Sequence, residues 1–340
     1  MSDREEAIQT LLDAAGWANA ARTPVAGDAS NRSYERLTGS GGSTAILMNA
    51  PPELCGSVEP FLTIAAFLRS CGLSAPEILH SEQDLGLLIL EDFGNDVFAR
   101  IAADTPAKSP QLYDLACDVL VQLHRCDVPD VPVFSSDVMT DLACSAVDWY
   151  AFAFTDQDLT KARQDFAGHI HDLLGTLSPQ PAVFIHRDYH AENLFLLPGR
   201  FGAKAVGIID FQDAVQGHPA YDLASVLLDA RRDVPADIQE HALHRYTDQT
   251  GVDASGFRAD FARLGLQRNL RILGIFGRLC LRDGKTSYLK FMPRVWHHIT
   301  FCLDLIGDTD LSDLITNTVP APTPKIQDAL LSKCATFPHL

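Results

Sequence analysis

The stretch Pro181-Ala-Val-Phe-Ile-His-Arg-Asp-Tyr-His-Ala-Glu-Asn-Leu-Phe-Leu-Leu197, followed after a short turn by Ala205-Val-Gly-Ile-Ile-Asp-Phe211, decides the fold. Three apolar runs, Val183–Ile185, Leu194–Leu197 and Val206–Ile209, read as short strands, and every polar group sits at a strand end. Asp188, Asn193 and Asp210 are therefore presented by loops on a rigid support. Phosphoryl transfer asks for few side chains: a carboxylate to accept or orient a hydroxyl proton, and oxygen ligands for Mg²⁺. Asp188 fits the first role, and Asn193 and Asp210 fit the second. His186 and His190 offer a competing reading as a pair of metal-binding imidazoles. Zinc-peptidase chemistry, however, wants His-Glu-x-x-His on a helix, and here the flanks are strands. Each element alone could be an ordinary polar turn; the ordered set is much harder to reach by accident.

Upstream, Ala7, Ile8, Leu11, Leu12 and Ala15 fall on one helical face, and Gly16 is placed to end the helix. The small, polar run Ala26–Tyr34 precedes a strand at Tyr34–Leu37, and a second strand follows at Ala45–Met48. Small residues between strands let backbone N–H groups approach phosphates, which makes Ser30, Asn31 and Arg32 candidate nucleotide contacts. A plain hairpin loop explains the same residues equally well. A helix with Phe61, Ile64, Ala65 and Leu68 on its apolar face comes next, then strands at Pro76–Leu79 and Leu85–Leu90. The last of these runs into Glu91-Asp92-Phe93-Gly94, a candidate hinge whose backbone would meet a nucleotide base around Glu91 and Phe93. Gln111–His124 is amphipathic, and His124 at its end reads as a structural contact.

Downstream, Asp222 is placed either to cap the helix running to Leu228 or to brace the Asp188 loop from behind. The tail from Thr316 is rich in Pro and Thr and reads as loosely packed. Residues 263–294 hold Arg263, Arg268, Arg271, Arg278, Arg282, Lys285, Lys290 and Arg294 against one acid, Asp283. The spacing puts Arg271, Arg278 and Arg282 on one helical face among apolar neighbours. Buried guanidiniums require anionic partners. Those partners are either internal carboxylates or an anionic ligand.

The chain has 340 residues and is 46% hydrophobic, enough for a sizeable core divided between two lobes. Its net charge of −17 disfavours nucleic acid and anionic membranes as partners. The start Met-Ser-Asp-Arg-Glu-Glu is no secretory signal and no apolar run reaches bilayer length, so a cytoplasmic protein is expected. The eight cysteines contain no Cys-x-x-Cys pair and read as reduced core thiols.

The motifs His186-Arg-Asp-Tyr-His-Ala-Glu-Asn193, Ile209-Asp210-Phe211 and Pro219-x-x-Asp222-Leu-Ala resemble those of the aminoglycoside phosphotransferase/choline kinase family, over roughly residues 25–300. The resemblance implies an α/β (α+β), two-lobed protein-kinase-like fold. A small N-lobe with an antiparallel sheet would span residues 1–92, and a larger, mainly helical C-lobe residues 93–340. It implies ATP and Mg²⁺ as cofactors and a small-molecule hydroxyl as acceptor. Within the family, Ile46–Glu53, Leu90–Gly94, Asp210–Ala214, Leu273–Leu279 and Arg282–Lys285 are most similar to bacterial anomeric N-acetylmuramate/N-acetylglucosamine kinases of cell-wall sugar recycling. On that likeness Asp213, Arg271, Arg278 and Arg282 become candidate sugar contacts. Aminoglycoside, choline or another amino alcohol is the alternative acceptor. A non-catalytic nucleotide-binding regulatory protein is the alternative of another class. One departure stands out: Met48 occupies the strand position where kinase-like folds place a lysine, which leaves Arg32 as a candidate replacement.

Overall fold

The computed structural model describes residues 3–25, 31–155 and 158–337. The chain packs as two compact units, Met1–Leu123 with Ala191–Ala214, and His124–His190 with Val215–Leu340. The architecture is mixed α/β with an antiparallel sheet, as the resemblance implied. Nine strands occur among the described residues. They are β1 Ala21–Val25, β2 Ser33–Thr38, β3 Thr44–Asn49, β4 Ile78–Glu82, β5 Leu87–Glu91, β6 Val183–Ile185, β7 Leu194–Leu196, β8 Val206–Ile208 and β9 Val215–Gly217.

In the first unit the sheet runs β1-β2-β3-β5-β4, with every neighbouring pair antiparallel. The period of two sorts its side chains. Leu37, Ala45, Leu47, Leu87 and Ile89 pack against Ile8, Leu11 and Leu12 of the helix Asp3–Ala14. Each of these leucines and isoleucines contributes about 1.5–3 kcal/mol by leaving water. Tyr34, Arg36, Ile46, Met48, Leu88 and Leu90 therefore share the opposite face, in the cross-strand rows Tyr34–Met48–Leu88 and Arg36–Ile46–Leu90. Strand β1 was not expected from the sequence. It is mostly exposed and carries Pro24, a residue tolerated on an edge strand because no outer neighbour asks for its missing N–H.

The second unit is mainly helical, built around the helix Ala254–Leu281. Gly274 and Gly277 let another segment pass close to it. A Cβ on Gly274 would lie 2.2 Å from the Ser145 carbonyl carbon, and one on Gly277 would lie 3.3 Å from the Tyr150 backbone. Between those contacts, Ala146–Tyr150 forms a π-helical turn. The tail corrects the expectation of loose packing. It forms the helices Thr309–Thr318 and Pro324–Ser332, and Ile315, Val319 and Leu330 are fully buried. Tyr150 Oη donates to the Pro320 carbonyl at 2.8 Å, Lys333 Nζ to Ala153 O at 2.7 Å, and Phe337 N to Leu281 O at 3.1 Å. Apolar residues spaced through a Pro/Thr-rich sequence were enough to dock it. Among the described residues no helix is long and apolar enough to cross a membrane.

Candidate active site

The first unit carries the candidate metal ligands. Pairing of β7 with β8 sets Leu194 opposite Ile208, and Ile209 N donates to Asn193 O at 3.1 Å. This register brings the side chains beyond the two strand ends together, with Asn193 Nδ2 at 3.5 Å from Asp210 Oδ2. Asp210 sits in the left-handed region, φ 63°, which turns its carboxylate out of the strand line while the next residue, Phe211, is fully buried. Phe211 packs on Phe61 with ring centroids 4.9 Å apart, so an apolar anchor fixes an exposed acid. Gln212 Nε2 donates to Asp210 Oδ1 at 2.9 Å. An exposed carboxylate beside an amide is the sparse, all-oxygen donor set that Mg²⁺ uses when phosphates and water complete its shell. The residues present fit that ion. Among the described residues no three His, Cys, Asp or Glu side chains gather as a metal cluster.

The candidate nucleotide contacts also lie in this unit. Ser30 falls outside the described residues. Asn31 Nδ2 donates to Leu54 O at 3.3 Å. Arg32 hydrogen-bonds Tyr34, whose hydroxyl is pushed up by burial and, further, by the charge of Asp210, while Arg32 draws it down. Met48 is fully buried opposite Tyr34. The connector after β5 is held by Arg36, which sequence reading passed over. Its Nε lies 2.7 Å from Asp92 Oδ2, Nη1 donates to Asn95 Oδ1 at 2.8 Å, and Nη2 to Gly94 O at 2.8 Å. Glu91 pairs with Arg200 and also accepts from Glu77 N at 3.3 Å. Phe93 is buried, 5.9 Å from Phe195 between centroids, and a Cβ on Gly207 would meet its ring at 2.6 Å. Both side chains are engaged, and Glu91 N itself donates to Glu77 O at 2.8 Å. Asp213 lies exposed in the turn after Phe211.

The second unit carries Asp188. Strand β6 pairs with β9, Ile185 opposite Val215, and then releases the chain into the loop. Both carboxylate oxygens of Asp222, fully buried on the helix Ala220–Leu227, accept backbone N–H groups there: His186 N at 2.6 Å and Arg187 N at 3.0 Å. Of the two roles open to Asp222 in the sequence, the brace is the one observed. Arg187 is left-handed, φ 74°, with its guanidinium 5.5 Å from the Phe134 ring centre. Tyr189 is fully buried and edge-on to His186. The loop is thus fixed on both sides of Asp188. Burial alone would raise the Asp188 carboxyl. The charges of Arg271, then His190, Arg268 and His186, outweigh it and hold the group below the usual carboxylate range. Burial pushes His190 down to about 4 against the opposing charges of Asp229 and Asp188.

The basic stripe divides into three environments. Arg271 is buried, with Nη1 3.5 Å from Tyr221 Oη. Arg278 is half-buried, and burial draws its guanidinium below the ordinary value. Arg282 lies past the helix end, exposed, in a two-point pair with Asp283 at 2.7 and 3.1 Å. Arg268, one turn before Arg271, is buried and acts on Asp188. Its spacing of three from Arg271 was the available signal.

The second unit thus holds an ionised carboxylate on a braced loop, and the first an Asn–Asp oxygen pair after a hairpin of short strands; each is a group that phosphoryl transfer uses. The sequence model of the phosphotransferase enzyme family, APH, matches residues 21–262, and the chain belongs to that family. It is a small-molecule kinase. An N-acetylmuramate/N-acetylglucosamine kinase of Caulobacter vibrioides is 35% identical, with 95% of this chain and 98% of the relative covered. A protein of the same description from Pseudomonas aeruginosa is 32% identical, covering 87% and 88%. In fold the chain is similar to a choline/ethanolamine kinase family protein from Mesorhizobium loti. That match has a TM-score of 0.59 at 15% identity and covers 96% of this chain and 99% of the other.

Proposed function

We propose that the protein uses ATP and Mg²⁺ to phosphorylate the anomeric hydroxyl of N-acetylmuramate and N-acetylglucosamine. The observation carrying this reading is Asp188, kept ionised on a fixed loop by guanidiniums, with the names of the relatives supporting the choice of sugar. Asp188 orients the acceptor hydroxyl and takes its proton as the oxygen attacks the γ-phosphorus, the bond from that phosphorus to the bridging oxygen breaks and ADP leaves. Asn193 and Asp210 would hold Mg²⁺, which neutralises charge on the phosphates when bound. Asn31, Arg32 and Ser30 would serve the phosphates, and the backbone at Glu91 and Phe93 the base. Asp213, Arg271 and Arg278 would serve the sugar, while Arg282, exposed and paired with Asp283, would stand outside the contact.

A polycationic aminoglycoside would meet Arg268 and Arg271 beside Asp188, and like charge disfavours it. The lactyl carboxylate of N-acetylmuramate suits a guanidinium fork. Purified protein is to be incubated with Mg·ATP and N-acetylmuramate, N-acetylglucosamine, kanamycin or choline, and the product position read by phosphorus NMR. Anomeric phosphate on the two amino sugars is the expected result. Turnover of kanamycin or choline in their place removes the reading.

A further inference from the structure

Arg268 is 3% exposed, and among the described residues its Nε and Nη1 meet no hydrogen-bond acceptor. Asp229 is 1% exposed, and its Oδ2 meets no donor. Unsatisfied buried guanidinium nitrogens and an unsatisfied buried carboxylate oxygen each carry a penalty that ordered structure rarely tolerates. The two residues belong to one cluster in the second unit. Gly265 of the long helix approaches Leu228, where an added Cβ would lie 2.7 Å from Leu228 Cδ1. Arg268 is one helical turn beyond Gly265, and Asp229 directly follows Leu228. His298 Nε2 lies 3.3 Å from Asp229 O, and Arg231 N donates to Asp229 Oδ1 at 2.8 Å. Arg231 Nη1 stands 3.4 Å from Nε2 of His190, two residues after Asp188. The cluster therefore reaches the Asp188 loop, and Arg268 acts electrostatically on both Asp188 and Asp229.

A ligand completing this pair must accept from Arg268 and donate to Asp229. A carboxylate accepts but is repelled by Asp229; an ammonium donates but is repelled by Arg268. An uncharged amide does both, through its carbonyl oxygen and its N–H. We propose that Arg268 and Asp229 form the subsite for the 2-acetamido group of the acceptor sugar. The inference rests on the anomeric-kinase reading above, in which the acetamido nitrogen and the phosphorylated oxygen stand on adjacent ring carbons. With the hydroxyl at Asp188, its neighbour falls to the cluster that adjoins the Asp188 loop. The pair thus selects for N-acetyl sugars over plain hexoses before any contact with a lactyl group.

The test compares kcat and KM for N-acetylglucosamine and glucose in the full-length protein and in Arg268→Met, Arg268→Lys and Asp229→Asn, with thermal melts to verify folding. The wild type should prefer N-acetylglucosamine. Losing one charge-assisted contact should lower the ratio of the two kcat/KM values at least about tenfold, mainly through KM. Arg268→Lys keeps the buried charge without the fork, so it should lower the ratio as well and decides the matter if Arg268→Met does not fold. An unchanged ratio in folded variants that have merely lost stability would mean a water-bridged structural pair and overturns the proposal. Equal kcat/KM for the two sugars in the wild type overturns it too, while leaving the kinase reading intact. Turnover of neither sugar removes both.

Discussion

The Asp222 carboxylate accepts the His186 backbone N–H at 2.6 Å, across 36 residues of sequence. Its other oxygen holds Arg187 N, so one buried acid fixes the chain immediately before Asp188. Asp222→Ala leaves two donors without an acceptor, at about 1–3 kcal/mol each. Urea unfolding should show a loss of about 2–6 kcal/mol, together with reduced kcat. An unchanged unfolding midpoint would show that the brace contributes nothing.

Asp188→Asn preserves shape and removes the proton acceptor. Turnover should fall at least about 100-fold, with ATP affinity by calorimetry nearly unchanged. Near-normal kcat would exclude Asp188 from the chemistry.

Asp210→Ala keeps the Phe211 anchor, so the turn should persist while a charged oxygen ligand is lost. Calorimetric titration should show weaker Mg·ATP binding, and weakening that is equal with and without Mg²⁺ would contradict the metal role.

The basic stripe predicts an asymmetry between two arginines. Arg271 is buried beside Asp188, whereas Arg282 is exposed and paired with Asp283. Arg271→Ala should lower kcat/KM for N-acetylmuramate about tenfold or more, with a smaller effect on N-acetylglucosamine. Arg282→Ala should leave both within about twofold, as expected for an exposed pair. The reverse order would move the sugar carboxylate to the helix end.

Stability should fall on mild acidification. Burial holds His124 at about 3 and His190 and His298 at about 4, so they stay neutral in the fold and protonate near 6.5 once unfolded. Depressed histidines stabilise above the unfolded value and lose that contribution as pH falls toward the folded one. Asp222, pushed up to about 6 by burial, works oppositely, because the folded chain takes its proton first. Three histidines less one carboxyl leave a net uptake of roughly two protons on unfolding, or about 2.7 kcal/mol lost per pH unit between about pH 6 and 5. His298→Asn should roughly halve that slope. Urea unfolding at pH 7, 6 and 5 measures it, and a flat profile would refute the assignment.

The strands around Asp188 and Asp210 were legible because each is a short apolar run stopped by polar residues. The observed β6, β7 and β8 fall on the expected stretches to within a residue. Strand β1 was not legible, since Arg22, Thr23 and Pro24 carry no alternation and its extended form is imposed by pairing with β2. Arg36 read as one charge among many. Its three contacts lie 56 to 59 residues away, which no local pattern reveals. Gly274 and Gly277 were passed over in sequence, because their reason, the passage of Ser145–Tyr150 against the helix, exists only in three dimensions.

Asp210 departs from helix and strand backbone, and a non-glycine residue at its φ of 63° carries roughly 1–2 kcal/mol of conformational penalty. Glycine would relieve that penalty and forfeit an exposed hydrogen bond with Gln212 and a long one with Asn193. In a mutant library challenged only by heat, glycine at 210 should accordingly be enriched. In the same library challenged by growth that depends on turnover, it should vanish. A single codon would then separate what the chain needs in order to persist from what it needs in order to work.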